Sequence, residues 1–456
     1  MTSTASKAAA ERRRIVAATV VGTTVEWYDF FIYAFAANLV FQQLFFAPAG
    51  PEVGQLAALA SIGLSFLFRP LGAFLAGHFG DRLGRRPMLV ITLLLMGTAT
   101  VAVGLLPTFE TIGIAAPVLL ILCRILQGIS AGGEWGGAIL MAVEHAPEGR
   151  RGLFGQFPQL GVPFGMLIAS GVLAIMQAVT TDEQWLSWGW RVPFLGSIVL
   201  ILVGFWVRRT VEESPVFEEM QSLKVRESAP IAVLFKTALP IVIFAALIFA
   251  GNNGVGYMIT GGFVQGYASR PTDAPVPGLG FDGPAVQIAV LCAAAMWAIF
   301  TAVGGWLSDI IGRKNTYLIG YGVLAAATIP LFELVKQGPL MIGVAGCLLA
   351  IGLGLTYGPQ AAWYAEAFPA SVRFSGVSIS YAIGAVIGGA FSPLIAQWIM
   401  NTFDGNTWAV IPYLLLLIVV AVFGTLMMKD RKDIPLTSQI EIDGTWQKIM
   451  DEPAKK

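Results

Sequence analysis

The stretch GDRLGRR, Gly80 to Arg86, returns 228 residues later as SDIIGRK, Ser308 to Lys314, so that Asp81 maps onto Asp309 and Arg85 onto Arg313. The offset is half of the 456-residue chain. A second pair agrees with it: EHAPEGRR (144–151) recurs as EAFPASVR (366–373), and Glu144, Pro147 and Arg151 match Glu366, Pro369 and Arg373 at a shift of 222. Two independent echoes at nearly one offset read as two similar halves. In each copy the glycines permit a tight turn and the acid can pair with the bases beside it.

What surrounds these charged turns is apolar. Of all residues 56% are hydrophobic and 12% charged, with a mean hydropathy of +0.73, whereas soluble domains carry about 25% charged residues. Such a chain cannot cover a surface facing water, and it reads as an all-α polytopic membrane protein. A helix needs about 20 residues to cross the hydrocarbon core. Runs of that length fall at 15–46, 55–80, 87–106, 112–144, 152–178, 188–208, 238–267, 284–308, 315–335, 338–366, 373–400 and 408–428. The expected organisation is a tail (1–14), a six-helix bundle (15–208), a charged linker (209–237), a second bundle (238–428) and a closing tail (429–456). Halves of this kind are expected to bind substrate near the bilayer midplane.

Lysine and arginine set the orientation. With the N-terminus inside, 23 of the 28 basic residues fall in the tails and the connections on that face; Arg191, Arg270 and Lys336 lie outside, Arg69 and Arg124 within spans. Both termini are therefore expected in the cytoplasm. The opening MTSTASKAAAERRR resembles the start of a secretory signal, but the apolar segment after it is long and acidic enough to be a retained first span. Acidic and basic residues number 28 each, so no nucleic-acid partner is implied. Cys123, Cys292 and Cys347 are unpaired in spacing and read as buried apolar residues. His78 and His145 fall at cytoplasmic helix ends. GISAG (128–132) matches a hydrolase elbow without the strand-to-helix turn that motif needs, and GLGLTYG lacks the dinucleotide spacing.

Ionisable groups inside spans are functional candidates. Glu26, Asp29 and Tyr33, in EWYDFFIY, are spaced i, i+3 and i+7 and share a helix face. Arg124, in CRILQGISAGGEWGGA, lies roughly 18 Å along its span and Asp29 roughly 21 Å along the first, at 1.5 Å per residue. These depths are compatible with a salt bridge from Arg124 to Asp29 or Glu26, or with a pair that opens when a proton or anion competes. Glu134, ten residues beyond Arg124, reads either as an acid satisfied by Trp135 or backbone, or as an inner proton relay. In the second half, AGNNGVGYMITGG sets Asn252, Asn253 and Tyr257 among glycines that could break the helix and expose backbone polar groups. Gln360, Trp363, Tyr364 and Tyr381 are further candidates for lining a cavity, with helix packing as the alternative for each.

GDRLGRR resembles the loop signature of the major facilitator superfamily, and the likeness extends over nearly the whole chain. The resemblance implies the major facilitator fold of twelve helices in two pseudo-symmetric halves. It also implies that Asp81, Arg85 and Arg86 tie neighbouring helices and bias the outward-facing state, with Asp309, Arg313 and Lys314 as a weaker second copy. Arg124, Gln127 and Gly128 match that superfamily's RxxQG pattern, associated there with proton coupling. EWYDF, GGEWGGA and WGWRVPFL together resemble the metabolite:proton symporter family, whose members include shikimate, alpha-ketoglutarate and proline-betaine transporters, and within it the shikimate-transporter branch. Span 5, QLGVPFGMLIASG, departs from the glycine-proline signature of proton-coupled exporters.

The expectation is thus a secondary transporter, not an enzyme, that couples proton entry to uptake of a small organic metabolite, a carboxylate by resemblance. Asp29, with Glu26 behind it, is expected to take up and release the proton, Arg124 to meet the carboxylate or the proton carrier, and Tyr33 and Gln127 to line the site. No ATP site, metal or prosthetic cofactor is expected, and the chain is expected to work as a monomer in the lipid bilayer. An exporter on the same fold and a metabolite sensor without net flux are the alternatives.

Overall fold

The structure is a computed structural model and describes residues 2–209, 213–222, 230–260, 263–273 and 278–437. Among these residues every regular element is helical. The helices that correspond to spans are α1 (Thr2–Ala36), α2 (Pro51–Leu83), α3 (Arg85–Leu105), α4 (Ala115–Glu144), α5 (Gly161–Val179), α6 (Arg191–Arg209), α7 (Leu239–Thr260), α8 (Gly283–Ile311), α9 (Arg313–Thr328), α10 (Pro339–Tyr357), α11 (Arg373–Ala385) and α12 (Val410–Met427). Helical backbone satisfies its own hydrogen bonds, which is what a segment in hydrocarbon requires.

Ten helical stretches among the described residues are long and apolar enough to cross a bilayer. The remaining two expected spans, 152–178 and 315–335, correspond to α5 and α9. The run at 152–178 divides into Arg151–Gln159, which contains Pro158, and α5, and the run at 315–335 divides at Pro330 into α9 and Leu331–Val335. Proline supplies no amide and collides with the preceding turn, which accounts for the break at Pro330. The surface bears out the solvent read from composition. Val199, Leu202, Val203 and Trp206 expose one face of α6, and Leu416, Val419, Phe423 and Leu426 one face of α12. Apolar stripes of this length on an otherwise packed helix face lipid.

Contacts divide the chain into two compact units. The first comprises Met1–His145, Leu160–Val233 and Ser371–Ile379, and the second Ala146–Gln159, Leu234–Ala370 and Ser380–Lys456. Within the first unit α4 lies against α2 at very close range: a Cβ on Gly128 would strike the Ser65 backbone, and one on Gly132 the Arg69 carbonyl. Small residues one turn apart are what permits such an approach. This packing carries Arg124, one turn before Gly128, to Phe30, a ring that also flanks Arg69.

Candidate functional site

In the first unit α1, α3, α4 and α6 bring together a set of fully buried polar groups. Asp29 is 0% exposed. Its Oδ2 accepts from Thr100 Oγ1 at 2.8 Å and its Oδ1 from Ser197 Oγ at 2.7 Å. Thr100 in turn accepts from Gln127 Nε2 at 2.8 Å, and Gln127 Oε1 accepts from Arg124 Nη1, also at 2.8 Å. All four bonds are near ideal length. The result is a directional chain, Arg124 to Gln127 to Thr100 to Asp29, in which each donor hands polarity to the next acceptor.

The expected salt bridge between Asp29 and Arg124 is therefore replaced by two neutral side chains in series. The reason lies in helix phase: Arg124 and Gln127 are i, i+3 neighbours, so the glutamine occupies the acceptor position nearest the guanidinium. Arg124 itself lies over Tyr33 with Cζ 3.9 Å from the ring centroid, and 5.3 Å from that of Phe30. Tyr33 is held by a 2.8 Å hydrogen bond with Ser61 Oγ. A mid-membrane arginine costs at least about 2.5 kcal/mol to insert, and stacking on aromatic faces offsets about 0.5–2 kcal/mol of that.

Glu26 occupies the next turn of the same α1 face. It is buried, its Oε2 has no hydrogen-bond partner, and it lies in the field of Glu134, Arg69, Arg208 and Asp29. Glu134 is satisfied neither by Trp135 nor by backbone. It forms an ion pair with Arg208 and accepts from Thr92 Oγ1 at 2.8 Å. A basic residue from the far end of α6 is its partner, and sequence spacing carries no signal for that.

The second-half candidates are mostly engaged in packing. Helix α7 runs through AGNNGVG without a break, contrary to the expectation of exposed backbone. Asn252 Nδ2 donates to Leu353 O at 3.1 Å and to Thr356 Oγ1 at 2.6 Å, and Asn253 Nδ2 donates to Ala385 O at 3.3 Å. These amides join α7 to α10 and α11, so tertiary contacts hold the glycine-rich stretch helical. Tyr364 donates to Ala245 O, and Trp363 Nε1 donates to Lys429 O. Gln360 is buried with Nε2 unpartnered, and Tyr381 stacks on Phe249 at 4.2 Å. The side chain of Tyr257 lies outside the described residues.

The repeated loops form two matching clusters. Asp81 accepts from the Phe374 and Ser375 amides at 3.2 and 3.0 Å, at the start of α11 and within the first unit. In the second unit Asp309 accepts from the Gly152 and Leu153 amides, both at 2.8 Å. Each aspartate thus caps the helix that opens with Arg373 or Arg151, where free amides and the helix dipole favour an anion. Arg85 lies 3.6 Å from Asp81 and 3.7 Å from Glu144. Arg313 lies 2.6 Å from Asp309 and 3.1 Å from Glu366. Burial works against the Arg313 cation, but Glu366 and Asp309 more than offset it and hold the guanidinium above its ordinary range. The second copy is bonded as fully as the first.

Sequence reading missed the acids that seat these loops. Glu213 accepts from the amides of Arg85 and Arg86 at 3.0 and 3.2 Å, while Arg86 Nη2 donates to Arg209 O. Asp430 accepts from the Lys314 amide at 3.0 Å, and Lys314 Nζ donates to Leu426 O. Both acids follow the last span of their half, a regularity visible only once the caps are seen. Thr100 and Ser197 were also missed, because hydroxyl residues in membrane helices are ordinary packing elements.

The helical fold, its buried charges and its paired charged turns agree with what comparison with known proteins shows, a membrane transporter. The chain belongs to the major facilitator superfamily: residues 15–238 match the model of the sugar (and other) transporter family, and residues 275–442 that of the Major Facilitator Superfamily. The inner membrane metabolite transport protein YhjE of Escherichia coli is 39% identical over 86% of this chain and 89% of its own. The shikimate transporter of Escherichia coli is 37% identical over 92% and 95%, and the proline/betaine transporter of Salmonella typhimurium 30% over 93% and 85%. Among solved structures, the proton:xylose symporter XylE bound to 6-bromo-6-deoxy-D-glucose shares the fold with a TM-score of 0.79 at 17% identity, covering 96% of this chain and 99% of that one.

Proposed function

We propose that this transporter is a proton-coupled symporter that takes up a small carboxylated metabolite by alternating access. It works as a monomer with both termini in the cytoplasm, and its halves are the bundles 15–208 and 238–428. One observation carries the reading: the hydrogen-bonded chain from Arg124 through Gln127 and Thr100 to Asp29. A carboxylate without a cationic partner among the described residues, bound by two hydroxyls in a water-poor interior, can take up and release a proton. The relay lets Arg124 register that change without touching the acid. Relatives that carry shikimate or proline and betaine favour a substrate with a carboxylate.

The test is transport into proteoliposomes under an imposed pH gradient, with shikimate, 2-oxoglutarate, proline and betaine as probes. Uphill accumulation of one of these acids, abolished when the gradient is collapsed, is the expected result. Gradient-driven extrusion, or uptake of the acid that ignores the gradient, contradicts the reading.

A further inference from the structure

The buried arginines of the first unit do not share one role. Arg85 has Asp81 and Glu144, Arg208 has Glu134, Arg373 has Glu144, and Arg124 has Gln127. Arg69, inside the span Ala60–Leu83, is 2% exposed. Its Nε has no hydrogen-bond partner, and no carboxylate of the described residues forms an ion pair with it. Three aromatic rings surround its guanidinium instead: Phe66 at 4.2 Å, Trp27 at 5.5 Å and Phe30 at 5.7 Å. Rings of this kind hold a cation in place without neutralising it. They leave the planar N–H fork unfilled, and that fork is shaped for a carboxylate.

We infer that Arg69 is the residue that receives the substrate's carboxylate, while Arg124 stays wired to Asp29 and serves the proton. This rests on the reading of the chain as a carboxylate symporter. The two cations meet at one ring, since Phe30 contacts both guanidiniums, and Phe30 follows Asp29 directly on α1. A carboxylate bound at Arg69 therefore sits beside the helix that carries the titrating acid. Glu26, beside Trp27 on α1, is buried and makes no ion pair with Arg69 among the described residues, so a substrate carboxylate has no bonded acid to displace there. Trp27, Phe30 and Phe66 supply an apolar wall for the body of a small acid.

The experiment is calorimetric binding to the full chain in nanodiscs, without a gradient, using shikimate, 2-oxoglutarate, proline and betaine, with neutral xylose and the carboxamide of the acid that binds as controls. The expected result is that the acid binds, its carboxamide does not, and Arg69→Gln weakens the acid by about 100-fold, as loss of a charge-assisted bidentate contact should. Arg69→Gln should weaken it at least tenfold more than Arg124→Gln does. Arg69→Lys keeps the charge without the fork and should weaken binding about tenfold; it is the deciding variant should Arg69→Gln fail to fold, as judged by its chromatographic profile. An affinity within twofold of the wild type in the folded variant, with Arg124→Gln abolishing binding, overturns the assignment and leaves the carboxylate reading standing. Binding of xylose and of none of the acids overturns both.

Discussion

At the scale of residues, the proposed coupling depends on a carboxylate, Asp29, bonded by the hydroxyls of Thr100 and Ser197 instead of by a base. Asp29→Asn should abolish accumulation against a gradient while exchange of substrate between equal pools remains measurable; full uphill accumulation would remove Asp29 from the mechanism. Thr100→Val is the sharper variant, because it keeps volume and removes the one atom that bonds both Gln127 and Asp29. Stranding those two buried groups should cost about 1–3 kcal/mol each, seen as a lower melting temperature that Thr100→Ser restores. Asp29, Glu26 and Arg124 were legible in the sequence because a charged group in an apolar run has to be explained, and Gln127 through the RxxQG resemblance. Thr100 and Ser197 were not. Thr100 also bonds the Met96 carbonyl one turn back, the ordinary way a membrane helix absorbs a hydroxyl, so nothing in the spacing distinguishes it. Arg69 was visible as a charge, but its aromatic setting arises from α1 and α2 packing together.

At the scale of elements, the repeated loops work through helix ends. Gly84 and Gly312 take φ of +112° and +93°, a backbone region in which an L side chain is strained, and a Cβ at either position would press on the capping acid, Glu213 or Asp430. Gly84→Ala should therefore destabilise the chain by more than the roughly 1 kcal/mol of backbone strain alone, and a thermal melt in detergent with Glu213→Gln as reference would expose the shared cause through non-additivity. Asp309→Asn should weaken the cap on Gly152 and Leu153 by about 1–2 kcal/mol, read as faster amide exchange at those two positions; unchanged exchange would make the cap incidental. The turn chemistry was legible, since glycine, acid and base in register announce a tight charged turn. Which amides the aspartates would cap was not, because residues 374 and 152 are remote from them in sequence. The expected run of twelve spans is matched by a helix at each position, α1 to α12.

At the scale of the molecule, composition and the half-chain echo were enough to indicate a helical membrane protein of two similar halves before any coordinates, and the transporter reading came from the resemblance of its motifs to the major facilitator superfamily. What they could not supply was helix phase, which decides whether two polar groups at compatible depth meet directly or through others. That difference separates a salt bridge from the relay seen here, and the relay carries the proposed coupling. The most direct measurement is the ratio of protons to substrate molecules entering proteoliposomes, followed simultaneously with an external pH electrode and a labelled acid, for the wild type and Thr100→Val. Coupled entry in the wild type and substrate entry without measurable proton movement in the variant is the predicted outcome. An unchanged proton-to-substrate ratio in a folded Thr100→Val protein would contradict it.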